Sequence, residues 1–133
     1  MTQDDPRDPT TPAAWMLRAR SNLAIAGAGA EDALYEDLCF EAQQAVEKAL
    51  KALLIALEQS FPRTHDIDTL LGLLVKLGES VPGELGDLGD LSEYAVHTRY
   101  PTLAEPVTRE EYAKALRLAA GTIQWVGERL GAI

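Results

Sequence analysis

Hydrophobic and polar positions recur with a helical period along most of this chain. The pattern is broadest between Glu31 and Gln59, EDALYEDLCFEAQQAVEKALKALLIALEQ. At 3.6 residues per turn, Leu34, Leu38, Ala42, Ala45, Ala49, Leu53 and Leu57 share one side. Tyr35, Cys39, Val46 and Leu50 widen that side to nearly half the circumference, and Glu41, Gln44, Glu47, Lys48 and Lys51 occupy the other half. The stretch holds no Gly or Pro and consists mostly of strong helix formers. So wide an apolar arc predicts a central helix packed against several neighbours at once.

The prolines divide the rest into helices, because proline breaks helix interiors and is tolerated at first turns. Thr11 is placed to cap a first helix, with Pro12 at its first position and Trp15, Met16, Ala19, Leu23 and Ala26 inward. That helix is expected to fray around Gly27 and Gly29, with Arg18 and Arg20 solvated. After the loop PRTHD, with Asp66 or Thr64 as cap, a third helix turns Ile67, Leu70, Leu71, Leu74 and Leu77 inward and stops at Gly78. A fourth segment, ELGDLGDLSEYAVHTRY, is weakened by Gly86 and Gly89, each costing roughly 1 kcal/mol against Ala. On it Leu85, Leu88, Leu91, Ser92, Ala95 and Val96 share one face, and Asp87, Asp90, Glu93 and His97 the other. Thr108 and Glu111 form a capping box ahead of a last helix carrying Tyr112, Ala115, Leu116, Ala119, Ile123, Val126 and Leu130 inward.

No strand pattern or internal repeat interrupts this reading. Short connections force neighbouring helices to run antiparallel. The expected fold is therefore all-α: an up-and-down antiparallel bundle of four core helices plus one accessory helix, in a single domain over residues 11–133. Residues 1–10 read as a disordered leader.

Composition narrows the function. The 133 residues suffice for one well-formed core. A net charge of −9 opposes broad affinity for nucleic acid, while leaving room for one local Arg-bearing cleft. The single cysteine, Cys39, excludes an internal disulfide and fits a reducing compartment. There is no secretory signal and no apolar run long enough to span a bilayer, so a cytoplasmic location is expected.

Arg99 is the residue that most invites a functional role. On a helical fourth segment it lines up with Leu88, Ser92 and Ala95, facing the bundle. An inward guanidinium is costly unless paired or lining a cleft. A structural ion pair and a phosphate-binding fork account for it equally well. His97 follows Glu93 by one turn, which suits a surface pair. His65 stands beside Asp66 in the loop, and Cys39 fits a small buried apolar role. Two histidines and one cysteine, all far apart, give no metal-ligand spacing, and no phosphate loop or nucleophile elbow is present.

Taken together, AQQAVEKALKALL (Ala42 to Leu54), His65-Asp66-Ile67 with Leu70-Leu71, and Tyr94 followed by Thr98-Arg99-Tyr100-Pro101 resemble the HEPN domain. Trp15, Ala19 and Leu23 fit its first helix, and the resemblance runs over about residues 13–130. It implies a helical bundle, often a homodimer, and a minimal nucleotidyltransferase partner encoded nearby, in pairs that resemble toxin–antitoxin modules. It also implies candidate ligand-binding residues: Arg99, Tyr100, Lys48, Glu47, His65 and Asp66, with nucleotide or RNA as the ligand and no metal or other cofactor.

Many HEPN proteins are metal-independent ribonucleases, in which an arginine is followed after four to six residues by a histidine. Here residues 104–106 are Ala104, Glu105 and Pro106, and no arginine has a histidine at that distance downstream. Acid–base cleavage needs a group that moves a proton near neutrality, which arginine cannot do. The leading expectation is a non-catalytic nucleotide-binding module that pairs with a nucleotidyltransferase and has no catalytic residues. The alternatives are a ribonuclease toxin using Arg99 with His97 or His65, and a structural dimeric scaffold.

Overall fold

The computed structural model describes residues 5, 7–96 and 105–133. Among them the chain forms four α-helices: α1 (Pro12–Gly27), α2 (Tyr35–Ala56), α3 (Ile67–Lys76) and α4 (Arg109–Ala132). Two 3₁₀ helices, Gly83–Leu85 and Leu88–Ala95, fill the place of the expected fourth helix. No strand occurs among the described residues, and the architecture is an all-α helical bundle.

The predicted capping chemistry holds the helix ends. Thr11 Oγ1 accepts from Ala14 N at 3.2 Å, and Pro12 opens α1. Asp66 caps α3 by accepting from Asp68 N at 3.2 Å. Thr108 and Glu111 complete a reciprocal capping box at 3.1 and 3.0 Å. Gly78 adopts a φ of 90°, and Glu79 N reaches back to Leu74 O at 3.1 Å, the αL stop expected there. α2 ends the same way, but its left-handed residue is Glu58, at φ 57°.

α2 is the axis of the bundle and packs against α1, α3, α4 and the second 3₁₀ helix. Its inward residues Ala42, Ala45, Val46, Ala49, Leu50 and Leu53 are fully buried, with Met16, Ala19 and Val126 from α1 and α4 beside them. The many alanines let neighbouring backbones approach closely, which suits a helix surrounded on several sides.

Three expectations are corrected. The central helix begins at Tyr35, four residues after Glu31, because residues 30–33 close a turn with Ala33 N on Ala30 O at 2.9 Å. Leu34 therefore becomes the N-cap and is 60 % exposed. The fourth segment winds as a 3₁₀ helix. Leu85, Leu88, Leu91 and Tyr94, spaced by three, form one buried stripe because 3₁₀ side chains eclipse every third residue. Val96 falls off that stripe and is 61 % exposed. Leu77, expected inward on α3, is also exposed, because its residue is the C-cap and the chain turns away at Gly78.

No helix among the described residues is long and apolar enough to cross a membrane.

Candidate functional site

Gln43, Glu47 and Lys51 recur every four residues on α2, which stacks them along one face of the helix. The order is favourable, with Glu one turn N-terminal to Lys. Lys51 Nζ donates to Glu47 Oε1 at 2.8 Å, and Gln43 Nε2 donates to Glu47 Oε2 at 2.8 Å. His65, in the loop before α3, places Nδ1 2.9 Å from the same Oε2. A carboxylate only accepts, so Nδ1 carries the hydrogen in this contact, and Nε2 is the nitrogen left for another partner. Gln44 Nε2 extends the chain by donating to Gln43 Oε1 at 2.7 Å.

The sequence pattern places Glu47 and Lys51 on the solvated side of the helix. The structure buries both, to 5 % and 9 % exposure. Two aromatic side chains account for this. Trp15 from α1 and Phe61 from the loop meet edge to face at 6.5 Å, and the Lys51 ammonium lies 5.8 and 5.7 Å from their ring centroids. Both distances fall within cation–π range. Trp15 Nε1 donates to Pro9 O at 2.9 Å, which pins the indole over the site.

Burial pushes the Glu47 carboxyl up. The hydrogen bonds from Lys51, His65 and Gln43, with the Lys51 charge, outweigh that and hold it below its ordinary value. Glu47 is thus an ionised carboxylate gripped by three donors. It is suited to fixing charge and orientation, and poorly suited to accepting a proton.

Of the residues singled out from sequence, Glu47 and His65 are brought together here. Asp66 adjoins them in sequence but caps α3, its second oxygen accepting from Thr69 Oγ1 at 2.9 Å. Lys48 is committed elsewhere: its Nζ donates to Asn22 Oδ1 at 2.8 Å, and Asn22 Nδ2 donates to Glu41 Oε1 at 2.8 Å. Burial, and then the charge of Arg18, lowers the Lys48 ammonium. Arg99 and Tyr100, with His97, Thr98 and Pro101, lie outside the described residues, as does the expected Glu93–His97 pair. Gln43, Lys51 and the Trp15–Phe61 lid went unassigned from sequence. The four-residue ladder of polar groups on a helix otherwise lined with alanine was the available signal.

Cys39 is fully buried, as expected. Burial, opposed by a hydrogen bond with Tyr94, pushes its thiol up to about 12, so it is inert as a nucleophile. Among the described residues no three His, Cys, Asp or Glu side chains converge in a way that could hold a metal ion.

The sequence model of the HEPN domain matches residues 13–130. Two solved structures share the architecture. TT1696 from Thermus thermophilus is 36 % identical, with a TM-score of 0.77 over 88 % of this chain and 96 % of its own. ST0689, an archaeal HEPN homologue, is 25 % identical, with a TM-score of 0.70 over 90 % of this chain and 97 % of its own. No curated protein matches the sequence.

Proposed function

This chain belongs to the HEPN domain family, and we propose that it serves there as a non-catalytic module. In this reading it pairs with a minimal nucleotidyltransferase in a toxin–antitoxin-like system, forms a homodimer, and holds a nucleotide beside Arg99.

The observation that supports the non-catalytic part of this reading is the state of Glu47. Its oxygens accept from Lys51, Gln43 and His65 together, and its carboxyl is held below the usual range. A general base works best with a value near the operating pH, and this carboxylate is far from that. The sequence adds that no arginine has a histidine four to six residues downstream.

One feature favours a second reading, a ribonuclease. The His65 side chain is 54 % exposed, and its Nδ1 is anchored on a carboxylate, as an oriented imidazole requires.

The experiment takes the pure protein with ATP and AMP in calorimetric titrations, with a panel of RNA substrates, and in co-expression with any minimal nucleotidyltransferase that a neighbouring gene of the source encodes. Nucleotide binding lost in Arg99→Ala, co-purification with the transferase and intact RNA uphold the module. RNA cleavage abolished by both Arg99→Ala and His65→Ala transfers the assignment to the ribonuclease.

A further inference from the structure

His65 lies in a loop, yet it is held at several points. Its Nδ1–H meets Glu47 Oε2 at 2.9 Å, its backbone oxygen accepts from Gln43 Nε2 at 3.5 Å, and the next residue, Asp66, caps α3. The ring is nevertheless open to solvent: the His65 side chain is 54 % exposed, against 6 % for that of Glu47. A buried carboxylate thus fixes one ring nitrogen. The other, Nε2, bears the lone pair of the neutral ring and is bonded by no described residue.

An imidazole anchored in this way suits three tasks: binding a metal, moving a proton, or attacking an electrophile. A metal needs further ligands, and none converge among the described residues. Proton transfer is the ribonuclease reading given above. Attack needs an accessible lone pair on one nitrogen and a fixed negative charge behind the other, to balance the positive charge that attack leaves on the ring. Both are in place, because Lys51 and Gln43 hold Glu47 as a carboxylate. The same loop carries a cation on a chain of net charge −9. Arg63, two residues before His65, is exposed and pairs with no carboxylate among the described residues. A guanidinium there favours an anionic incoming group over an acyl group.

We propose that His65 is a phosphoryl acceptor, taking the group onto Nε2 from a phosphoramidate, the chemical class to which a phosphohistidine of another protein belongs. The Nε2 lone pair forms the new N–P bond. The donor's P–N bond breaks, and its amine leaves with that electron pair. Nδ1 keeps its hydrogen, so the ring gains one positive charge directly against the Glu47 carboxylate. Glu47 acts through His65 and is a positioning residue. The inference goes beyond the proposed function and does not depend on a nucleotidyltransferase partner.

Phosphoramidate itself is the probe, incubated with the full chain near neutral pH. Peptide mass spectrometry in alkaline solution, where a P–N bond survives, maps the added phosphoryl group. The chain has two histidines, so His97 serves as the internal control. Expected is labelling of His65 at least about tenfold faster than that of His97. Glu47→Gln combined with Lys51→Met keeps the buried volume and removes the carboxylate's charge. In that variant labelling of His65 slows at least about tenfold, and nitrogen NMR of the ring shows loss of the fixed Nδ1–H form. A melting curve separates slower labelling from lost folding, and the wild-type comparison of the two histidines stands without the variant. No label on His65, equal labelling of both histidines, or a folded double variant that labels as fast as wild type overturns the proposal.

Discussion

Glu47→Gln keeps the shape of the buried hub and removes its charge, which strands the Lys51 ammonium. At 2.8 Å, with an effective dielectric near 20, the pair's gross attraction is about 6 kcal/mol. Desolvation of the two ions offsets much of that, and deleting one partner of such a pair typically costs about 3–5 kcal/mol. The faces of Trp15 and Phe61 contact the ammonium with or without its partner, so they leave the difference unchanged. The expectation is a loss of about 3–5 kcal/mol, a large part of the roughly 5–15 kcal/mol that domains usually possess. Urea unfolding followed by far-UV circular dichroism at pH 7 measures it, with an unchanged slope if both states keep their compactness. Adding Lys51→Met removes the stranded charge while keeping an apolar stem between the rings, so the double variant recovers most of the loss. The sign with pH follows from the lowered carboxyl. Its folded value lies below its unfolded one, so its stabilisation is present above the unfolded value, about 4.3, and is lost as pH falls through the folded value. The gap between wild type and Glu47→Gln therefore narrows in acid. A loss under about 1 kcal/mol at pH 7, or a gap that widens in acid, refutes the hub.

Glu58→Gly relieves a left-handed backbone that costs a non-glycine residue roughly 1–2 kcal/mol, so the variant melts higher by calorimetry. Thr108→Ala removes the hydroxyl of the α4 capping box and costs about 1 kcal/mol in the same urea assay. Cys39, buried and with its thiol pushed up to about 12, reacts with iodoacetamide at pH 8 only as fast as the chain opens. Labelling that outruns global unfolding contradicts that burial.

Much of the fold was legible because its rules are local. Thr11-Pro12, Asp66, Gly78 and the Thr108–Glu111 box each announce a helix end through side-chain chemistry that acts within four residues. The breadth of the apolar arc on α2 also predicted its central position. The fourth segment failed for a specific reason. Leu85, Leu88 and Leu91 satisfy both a loose α-helical stripe and the strict three-residue repeat of a 3₁₀ helix, and the two templates diverge only after Leu91, where the structure buries Tyr94 and exposes Val96. The glycines between those leucines had already weakened the α-helical choice. A Cβ at Gly89 would fall on the Asp68 carboxylate, so the absence of a side chain there lets this segment lie close against α3.

The site was half legible, and the division follows from what periodicity can encode. A helical wheel sorts residues by one apolar direction, and it reads every charge outside that arc as solvated. Glu47 and Lys51 lie outside the arc and are nevertheless buried, because Trp15 and Phe61 cover them from segments distant in sequence. Only three-dimensional closure reveals that. A buried ion pair contributes little net stability against an apolar replacement of the same volume, so stability alone does not account for one at the centre of this bundle. What Glu47 does accomplish is to join the 57–66 loop to α2 through the His65 ring, at 2.9 Å, while Lys51 fastens α2 beneath the α1 indole. One carboxylate thereby sets the relative position of three segments. A His65→Phe variant keeps the ring and severs the tie, so it speeds hydrogen exchange in the 57–66 loop while exchange in α4 stays as it was.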